Sequence, residues 1–436
     1  NKYPLTAEVA FNLGRAVGYY YQNKDKKNAL IGKDTRLSGD MLEAALTAGL
    51  CSTGFNVITA GIITTPGVAF LTKYFNIELG IVISASHNPF HDNGIKFFNG
   101  NGYKLSEKQE KDIENIFFNE SYAKLNISGS NIGKVESIKN ATDLYISHII
   151  KTIPNHFIIP DYKIIIDCAN GASSKITEEL FNRLNFKNIK IINNVPDGYN
   201  INYKCGSTYL KTLQLQVLQD NADLGFAYDG DADRALTVDE KGQIVDGDQM
   251  MFIYAYHFLK KGELGNNTIV TTHMSNMGFD ETIREIGGKV IRTDIGDKYV
   301  LKKMIENNSY LGGEQSGHII FLKYGPHGDG IETSIQLLSA LGENDEKISS
   351  QAAKMKKYHQ KLLNFTIKNK QLFLQDNKFR EIKEEMLSAF KFKGRILIRP
   401  SGTEKIIRIL LESKNEDILE YWENVLNEYF EIYTKK

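Results

Sequence analysis

Short apolar runs, each ending in a polar loop and followed by a helix-periodic stretch, recur through most of this chain and leave few architectures open to it. Ala29-Leu-Ile31, Val57-Ile58, Ile81-Val-Ile83, Lys163-Ile-Ile-Ile-Asp167, Ile189 to Ile192, Leu224 to Tyr228, Thr268-Ile-Val270 and Lys289-Val-Ile291 all read this way. An apolar run bounded by turn residues has no polar face, so it fits a strand buried on both sides. Between the runs lie helical stretches: Ala10, Leu13, Val17 and Tyr20 share a face behind the N-cap candidate Thr6, and Met41 to Leu50 is helical again. Strands alternating with helices argue for parallel sheets covered by helices.

Punctuation divides the pattern. Ser121 to Ser137 is polar and reads as loop, prolines at 154 and 160 bracket a junction, and a third unit begins near Asp246-Gly-Asp248. Lys354 to Lys370 is lysine-rich and reads as a linker. Beyond it the order changes: Arg395-Ile-Leu-Ile398 and Ile406 to Leu411 are strands flanking Arg399-Pro-Ser-Gly-Thr-Glu404. A last helix then places Ile418, Trp422, Val425, Tyr429 and Ile432 on one face. The expected architecture is α/β: three similar α/β domains with mixed or parallel sheets at residues 1–153, 154–246 and 247–364, plus a smaller C-terminal α+β domain at 365–436. A length of 436 residues suits this division.

Composition narrows the function classes. Lys+Arg and Asp+Glu both number 53, so no basic excess points to nucleic acid. No run of about 18 apolar residues predicts a membrane span. Three scattered cysteines leave at least one thiol free, which suits a reducing cytoplasm. The chain opens at Asn1 without a methionine, and a truncated start is the expectation.

Several loops carry reactive residue types. The buried run 81–83 ends in Ser84-Ala-Ser-His-Asn-Pro89 and continues to Lys96. A serine at the end of a buried strand is placed as α/β proteins place reactive groups, but it needs activation. Adjacent side chains on an extended segment point apart, which makes His87 a poor base for Ser86 and suits it to ordering the loop. Lys96 reads as an acid/base group or a phosphate contact. Asp229, Asp231 and Asp233 alternate, as carboxylates on a tight loop do around a hard cation; the competing reading is a solvated acidic turn. An EF-hand fails because Arg234 stands where the sixth position needs Gly and because a strand precedes the loop. Gly313-Glu-Gln-Ser-Gly317 offers a carboxylate and a hydroxyl suited to vicinal sugar hydroxyls, or is an ordinary turn, with His318 closing it. Arg399 to Thr403 with Arg408 has the donors of a phosphate cradle, or is a strand-connecting turn; Arg36 and Ser38 are similar and weaker. Cys168 and Cys205 read as core or loop residues.

In this order, one per expected domain, the four loops resemble the α-D-phosphohexomutase family over nearly the whole chain. Ser84 to Pro89 looks like its phosphoserine loop, Asp229 to Arg234 its metal loop, Glu314 to His318 its sugar loop and Arg399 to Glu404 its phosphate loop. Gln315 in Gly-Glu-Gln-Ser-Gly-His318, together with Asn93 to Phe98, Gly296 to Tyr299 and Gly328 to Ile331, is similar to the branch that acts on glucosamine phosphates. Three features depart from the pattern: the family's opening Gly-Thr-Asp-Gly-Ile-Arg-Gly loop is absent, Lys405 replaces a usual Pro, and Tyr209 replaces a usual His.

The resemblance implies domains around a central cleft, the last moving as a lid. It implies interconversion of glucosamine 6-phosphate and glucosamine 1-phosphate through a phosphoserine and a 1,6-bisphosphate, feeding nucleotide-sugar and cell-wall synthesis in the cytoplasm. The implied catalytic residues are Ser86, Lys96 and His318, with Mg²⁺ on Ser86, Asp229, Asp231 and Asp233. The implied substrate contacts are Arg36, His87, Arg234, Lys298, Glu314, Ser316, Arg399, Ser401, Gly402, Thr403 and Arg408. A sugar 1,6-bisphosphate is the implied priming activator and a hexosamine phosphate the partner, with neither nucleic acid nor membrane, in a monomer or homodimer. Glucose or mannose phosphates as substrates, a Mg²⁺ phosphatase using Asp229 as nucleophile, and a non-catalytic sugar-phosphate binder are the alternatives.

Overall fold

The computed structural model describes residues 5–24, 26–125, 127–154, 157, 161–342, 346–391, 393–401 and 405–434. The chain forms two compact units, and residues 275–285 and 355–436 make up the smaller one.

The larger unit holds three sheets built on one plan. The first contains β1 (Asn28–Lys33), β2 (Asn56–Ile62), β3 (Leu79–Ile83), β4 (Ile95–Asn99) and β5 (Val135–Ser137), in the order β4-β3-β1-β2-β5. The second contains β6 (Ile164–Asp167), β7 (Ile189–Ile192), β8 (Leu224–Tyr228), β9 (Ala235–Asp239) and β10 (Ile244–Val245), in the order β10-β9-β8-β6-β7. The third contains β11 (Thr268–Thr272), β12 (Lys289–Thr293), β13 (Leu311–Gly313) and β14 (Ile319–Phe321), in the order β12-β11-β13-β14. Each sheet has a parallel centre, and in each the chain then turns back into an antiparallel neighbour: β3 to β4, β8 to β9, β13 to β14. β3 and β8 are buried along their whole length, as their apolar runs require. Thr6 caps the first helix, Ala7–Tyr20, by accepting from the Val9 N–H at 3.2 Å, as its position predicts.

These three reversals matter for function. The β3–β4 connection is the Ser86 loop, the β8–β9 connection is the Asp229–Arg234 loop, and the β13–β14 connection is the Glu314–His318 loop. Each polar loop therefore leaves the carboxyl end of a buried strand, where α/β sheets place ligands.

The smaller unit is an antiparallel sheet of β15 (His359–Thr366), β16 (Gly394–Pro400) and β17 (Ile406–Ser413), in the order β15-β17-β16. Helices Asn377–Phe390 and Glu416–Thr434 pack on it through Phe379, Ile382, Met386, Trp422, Leu426 and Phe430. Glu412, fully buried on β17, accepts from the Met277 N–H at 2.6 Å and from Arg395 Nε at 2.5 Å, which fastens segment 275–285 to this sheet.

The structure corrects several sequence expectations. Segment 121–137 is not all loop: β5 pairs with β2, yet all three of its residues are exposed, so no hydrophobic pattern marks it. The lysine-rich stretch 354–370 contains β15 rather than only linker, and the expected boundary after residue 364 falls inside that strand. Lys361 stands on the same face as the core-facing Leu363 and Phe365, and Leu362 on the other face is 50% exposed, which hides the alternation. On the last helix the buried face is Leu419, Trp422, Leu426 and Phe430, while Ile432 is 60% exposed. The Ile418, Val425 and Tyr429 stripe flanks that face, because the larger Leu419–Phe430 set fills the core. The junction expected near Pro160 lies largely outside the described residues. Cys51, Cys168 and Cys205 are buried and free. Among the described residues no helix is long and apolar enough to cross a membrane.

Candidate active site

The Ser86 loop is held in a conformation its sequence disfavours. Ser86 has φ +51°, in the left-handed region that costs a non-glycine residue about 1–2 kcal/mol. The surroundings compensate with hydrogen bonds. The Ser86 N–H donates to Ser84 Oγ at 2.9 Å. Arg36 Nη2 donates to the Ser86 and Asn88 carbonyls at 3.0 and 2.8 Å, and its Nη1 donates to the Pro89 carbonyl. Arg36 is itself fixed by Asp34, through Nε at 2.9 Å. From the second sheet's loops, Asn202 Nδ2 donates to the same two carbonyls at 2.8 and 3.0 Å.

The left-handed turn overturns one expectation. The segment is not extended at Ser86, so the two side chains do not diverge, and His87 Nδ1 lies 3.4 Å from Ser86 Oγ. Burial, followed by the Arg234 charge, lowers the His87 pKa below the ordinary histidine value.

Asp229, Asp231 and Asp233 form the other wall. They are 0%, 0% and 6% exposed, and one oxygen of each lies within 4.8 Å of the others. The acidic-turn alternative, which needs solvated carboxylates, is excluded by this burial. Ser86 Oγ donates to Asp229 Oδ2 at 2.5 Å, and the Arg234 N–H donates to Asp229 Oδ1 at 3.2 Å. Asp231 Oδ2 accepts from Thr65 Oγ1 at 2.5 Å and from Lys96 Nζ at 2.6 Å, and Lys96 also donates to Asp233 at 3.2 Å. Gly230 permits the approach of the two loops: a Cβ there would stand 2.7 Å from the Ser86 carbonyl oxygen and 2.9 Å from Asn202 Nδ2.

The electrostatics follow from burying three carboxylates side by side. Burial, reinforced by Asp233 and Asp231, pushes the Asp229 pKa well above the usual carboxylate range. Burial acts the same way on Asp233, but the Lys96 charge, helped by His318 and Arg234, wins and holds its pKa well below that range. Burial opposes the charge on Lys96, yet Asp231 and Asp233 outweigh it and raise the pKa above the ordinary lysine value. Asp231 Oδ1 and Asp233 Oδ1 are buried and accept no hydrogen bond among the described residues. An oxygen-only donor set with unused, buried lone pairs fits a hard divalent cation.

The Glu314 loop closes on the same region. The Ala235 N–H, at the start of β9, donates to the Gly317 carbonyl at 3.1 Å, and the Gly296 N–H donates to Glu314 Oε1 at 3.2 Å. His318 is buried, with Nε2 3.6 Å from Asp297 Oδ2; Lys104 pairs with the same carboxylate. Lys298 turns aside: its Nζ lies 2.9 Å from Glu107 Oε1 on an exposed rim.

In the smaller unit, Arg399 and Arg408 face each other across β16 and β17, both exposed. Like charges directly opposite are destabilising without an anion between them. The Ser401 N–H donates to the Ile406 carbonyl at 2.9 Å. Gly402 and Thr403 lie outside the described residues.

The structure thus gathers Ser86, His87, Asp229, Asp231, Asp233, Arg234, Glu314 and His318 on neighbouring loops of one unit, with Lys96 beside them on β4. Arg36 is also there, but its donors face Asp34 and loop carbonyls. Sequence reasoning missed Thr65, Asn202, Asp34 and Asp297. Thr65 sits in Thr64-Thr-Pro66, which signals only a loop break, and nothing local distinguishes Asn202 from other loop asparagines.

Fold and site together define a class. Models of the phosphoglucomutase/phosphomannomutase family match the chain in sequence: alpha/beta/alpha domain I at residues 1–124, domain II at 143–242, domain III at 246–358 and the C-terminal domain at 362–428. The chain belongs to this family, the α-D-phosphohexomutases, and is a phosphohexomutase, an isomerase-class enzyme. It is 47% identical over 420 residues to the phosphoglucosamine mutase of Acetivibrio thermocellus, covering 95% of this chain and 93% of that one. It is 47% identical over 415 residues to that of Caldicellulosiruptor bescii, covering 94% and 92%. A phosphoglucomutase/phosphomannomutase family protein from Burkholderia thailandensis has the same fold, with a TM-score of 0.80 at 23% identity over 97% of this chain and 93% of that one.

Proposed function

We propose that this enzyme interconverts glucosamine 6-phosphate and glucosamine 1-phosphate, with Ser86 as the phosphate carrier. One observation carries the reading most directly. Ser86 Oγ, on a turn held left-handed, points at Asp229 from 2.5 Å inside a buried carboxylate cluster. Sequence identity of 47% to phosphoglucosamine mutases supports the amino-sugar substrate.

Phosphorylated Ser86 gives its phosphoryl group to the free hydroxyl of the sugar phosphate. The Ser86 O–P bond breaks, a sugar O–P bond forms, and the hydroxyl proton passes to a base. The 1,6-bisphosphate turns over in the site and returns its other phosphate to Ser86, with the proton going back to the vacated sugar oxygen. A bisphosphate primes the resting enzyme by the same step in reverse. Mg²⁺ held by Asp229, Asp231, Asp233 and a Ser86 phosphate oxygen would supply positive charge against the transferring group.

The other residues take roles that their surroundings support. Lys96, whose ammonium is stabilised by two carboxylates, neutralises charge and is a poor base. His318 suits the proton transfer better, since Nδ1 is without a partner among the described residues and Asp297 orients Nε2. Glu314 and Ser316 hold sugar hydroxyls, and Arg234 and His87 face the reacting phosphate. Arg399, Ser401, Gly402, Thr403 and Arg408 hold the other phosphate, with guanidinium geometry matched to it. Lys298, paired with Glu107, reaches substrate only from the rim. Arg36 shapes the serine loop rather than touching substrate.

Intact-mass analysis after priming with glucosamine 1,6-bisphosphate tests the carrier. The parent gains one phosphate, and Ser86→Ala gains none and loses activity. Retained activity in Ser86→Ala overturns the reading. Side-by-side turnover of glucosamine, glucose and mannose phosphates tests the substrate, and a preference for glucose or mannose phosphate overturns it.

A further inference from the structure

Asn202 belongs to none of the four functional loops, yet it makes the closest side-chain contacts to the backbone of the Ser86 turn from outside the first sheet. We propose that Asn202 is a positioning residue for phosphoryl transfer: its carboxamide fastens the Ser86 turn to the domain that carries the three aspartates. The inference rests on Ser86 being the phosphate carrier.

The stoichiometry supports it. A carboxamide NH₂ has two N–H donors, and the two acceptors are the carbonyls of Ser86 and Asn88, at 2.8 and 3.0 Å. Arg36 Nη2 donates to the same pair at 3.0 and 2.8 Å. Each carbonyl therefore receives two donors, which uses both of its lone pairs. The two clamps differ in origin. Arg36 follows β1 and is locked by Asp34, so it ties the turn to its own sheet. Asn202 is anchored elsewhere: its backbone N–H donates to the Ala169 carbonyl at 2.9 Å, in the turn that follows β6. β6 pairs directly with β8, the strand that delivers Asp229. Asn202 thus links the serine and the metal carboxylates through one short path of backbone.

Its conformation fits the task. Asn202 sits at φ +58°, a region asparagine tolerates better than most residues. Gly230 leaves room for the amide, since a Cβ there would crowd both Nδ2 and the Ser86 carbonyl. Other ties between these two domains, such as Thr35 Oγ1 to the Asn170 carbonyl at 2.6 Å and the Leu37 N–H to the Gly198 carbonyl at 3.0 Å, do not touch the serine turn.

Ser86 serves as donor in one half-reaction and acceptor in the other, so its Oγ must return to the same place while its charge changes. The Asn202 amide donors are engaged by the turn's carbonyls, so its loss should lower kcat and spare KM.

The test compares Asn202→Gly and Asn202→Asp with the parent and with Ser86→Ala. Glycine adopts φ +58° without strain and removes the carboxamide together with its Cβ. Aspartate keeps the shape but presents acceptors to two carbonyls. Steady-state kinetics with glucosamine 6-phosphate, primed by the bisphosphate, are read beside thermal melts. The expected result is a kcat lower by about 10–100-fold in both variants, with KM within about twofold, as misplacement of a reacting group by about an ångström produces. Aspartate should be at least as damaging as glycine, and the melting temperatures should stay within a few degrees. A kcat within twofold of the parent for Asn202→Gly overturns the proposal, as does a loss that follows the unfolded fraction or falls on KM alone. Activity retained in Ser86→Ala would instead overturn the carrier reading, whatever the Asn202 variants do.

Discussion

Lys96→Met is the perturbation whose consequences the site geometry fixes most tightly. Methionine keeps most of the stem and removes the ammonium. The lost contacts are to Asp231 at 2.6 Å and Asp233 at 3.2 Å, both carboxylates buried. Removing one partner of a buried ion pair costs about 3–5 kcal/mol, because the remaining charge is left uncompensated. Here two carboxylates lose the same partner, so the upper end applies to the metal-free protein. A divalent cation at the same cluster restores the missing charge and binds without competing against an ammonium. Ligand binding stabilises by RT ln(1 + [L]/Kd), so the variant should gain more from the metal than the parent does. Urea denaturation in a chelator and in millimolar Mg²⁺ reads both effects, through probes that follow the larger unit. The expected deficit is about 5 kcal/mol in chelator and less than half of that with Mg²⁺. Activity stays low in both, since the phosphate loses its cation. A deficit unchanged by Mg²⁺, or no deficit in chelator, would refute the reasoning.

Three further outcomes are expected. Thr65→Val removes the 2.5 Å donor to Asp231 and should weaken Mg²⁺ binding by about 10–100-fold in calorimetric titration; an unchanged Kd counts against the orienting role. Arg399→Ala with Arg408→Ala should raise KM far more than it lowers kcat, by about 100-fold or more if each charged hydrogen bond is worth about 1.5–3 kcal/mol, as initial-rate kinetics will read. Burial, together with the neighbouring Asp329, raises the Glu332 pKa well above its ordinary 4.5. A carboxyl so raised costs stability as pH climbs above its unfolded value, so Glu332→Gln should gain on the parent between pH 5 and pH 8. Denaturation at both pH values checks the sign, and a gain independent of pH contradicts it.

Much of the fold was legible because it is written locally. A fully buried strand must be continuously apolar, so β3, β8 and β11 announce themselves, and Ser86, Asp229 and Asp231 follow from where those runs end. β5 and β15 were hidden for the converse reason: edge strands with exposed or lysine-interleaved faces leave no periodic signal. The carboxylate cluster was legible as residue types on a tight loop, and the cation beside it was not, since Lys96 reaches Asp231 across 135 residues of sequence.

The sequence by itself determined the strands, the loops that end them and the chemistry those loops can offer, because burial and turn formation depend on neighbours along the chain. Only the tertiary structure decided which loops meet. It showed that one strand reversal, repeated in three sheets, brings the serine, metal and sugar loops together. It also showed that Ser86 is left-handed, that His87 therefore lies beside Ser86, and that Arg36 and Asn202 hold the turn. Those facts depend on hydrogen bonds between residues far apart in sequence, and no local pattern encodes a partner that folding alone supplies.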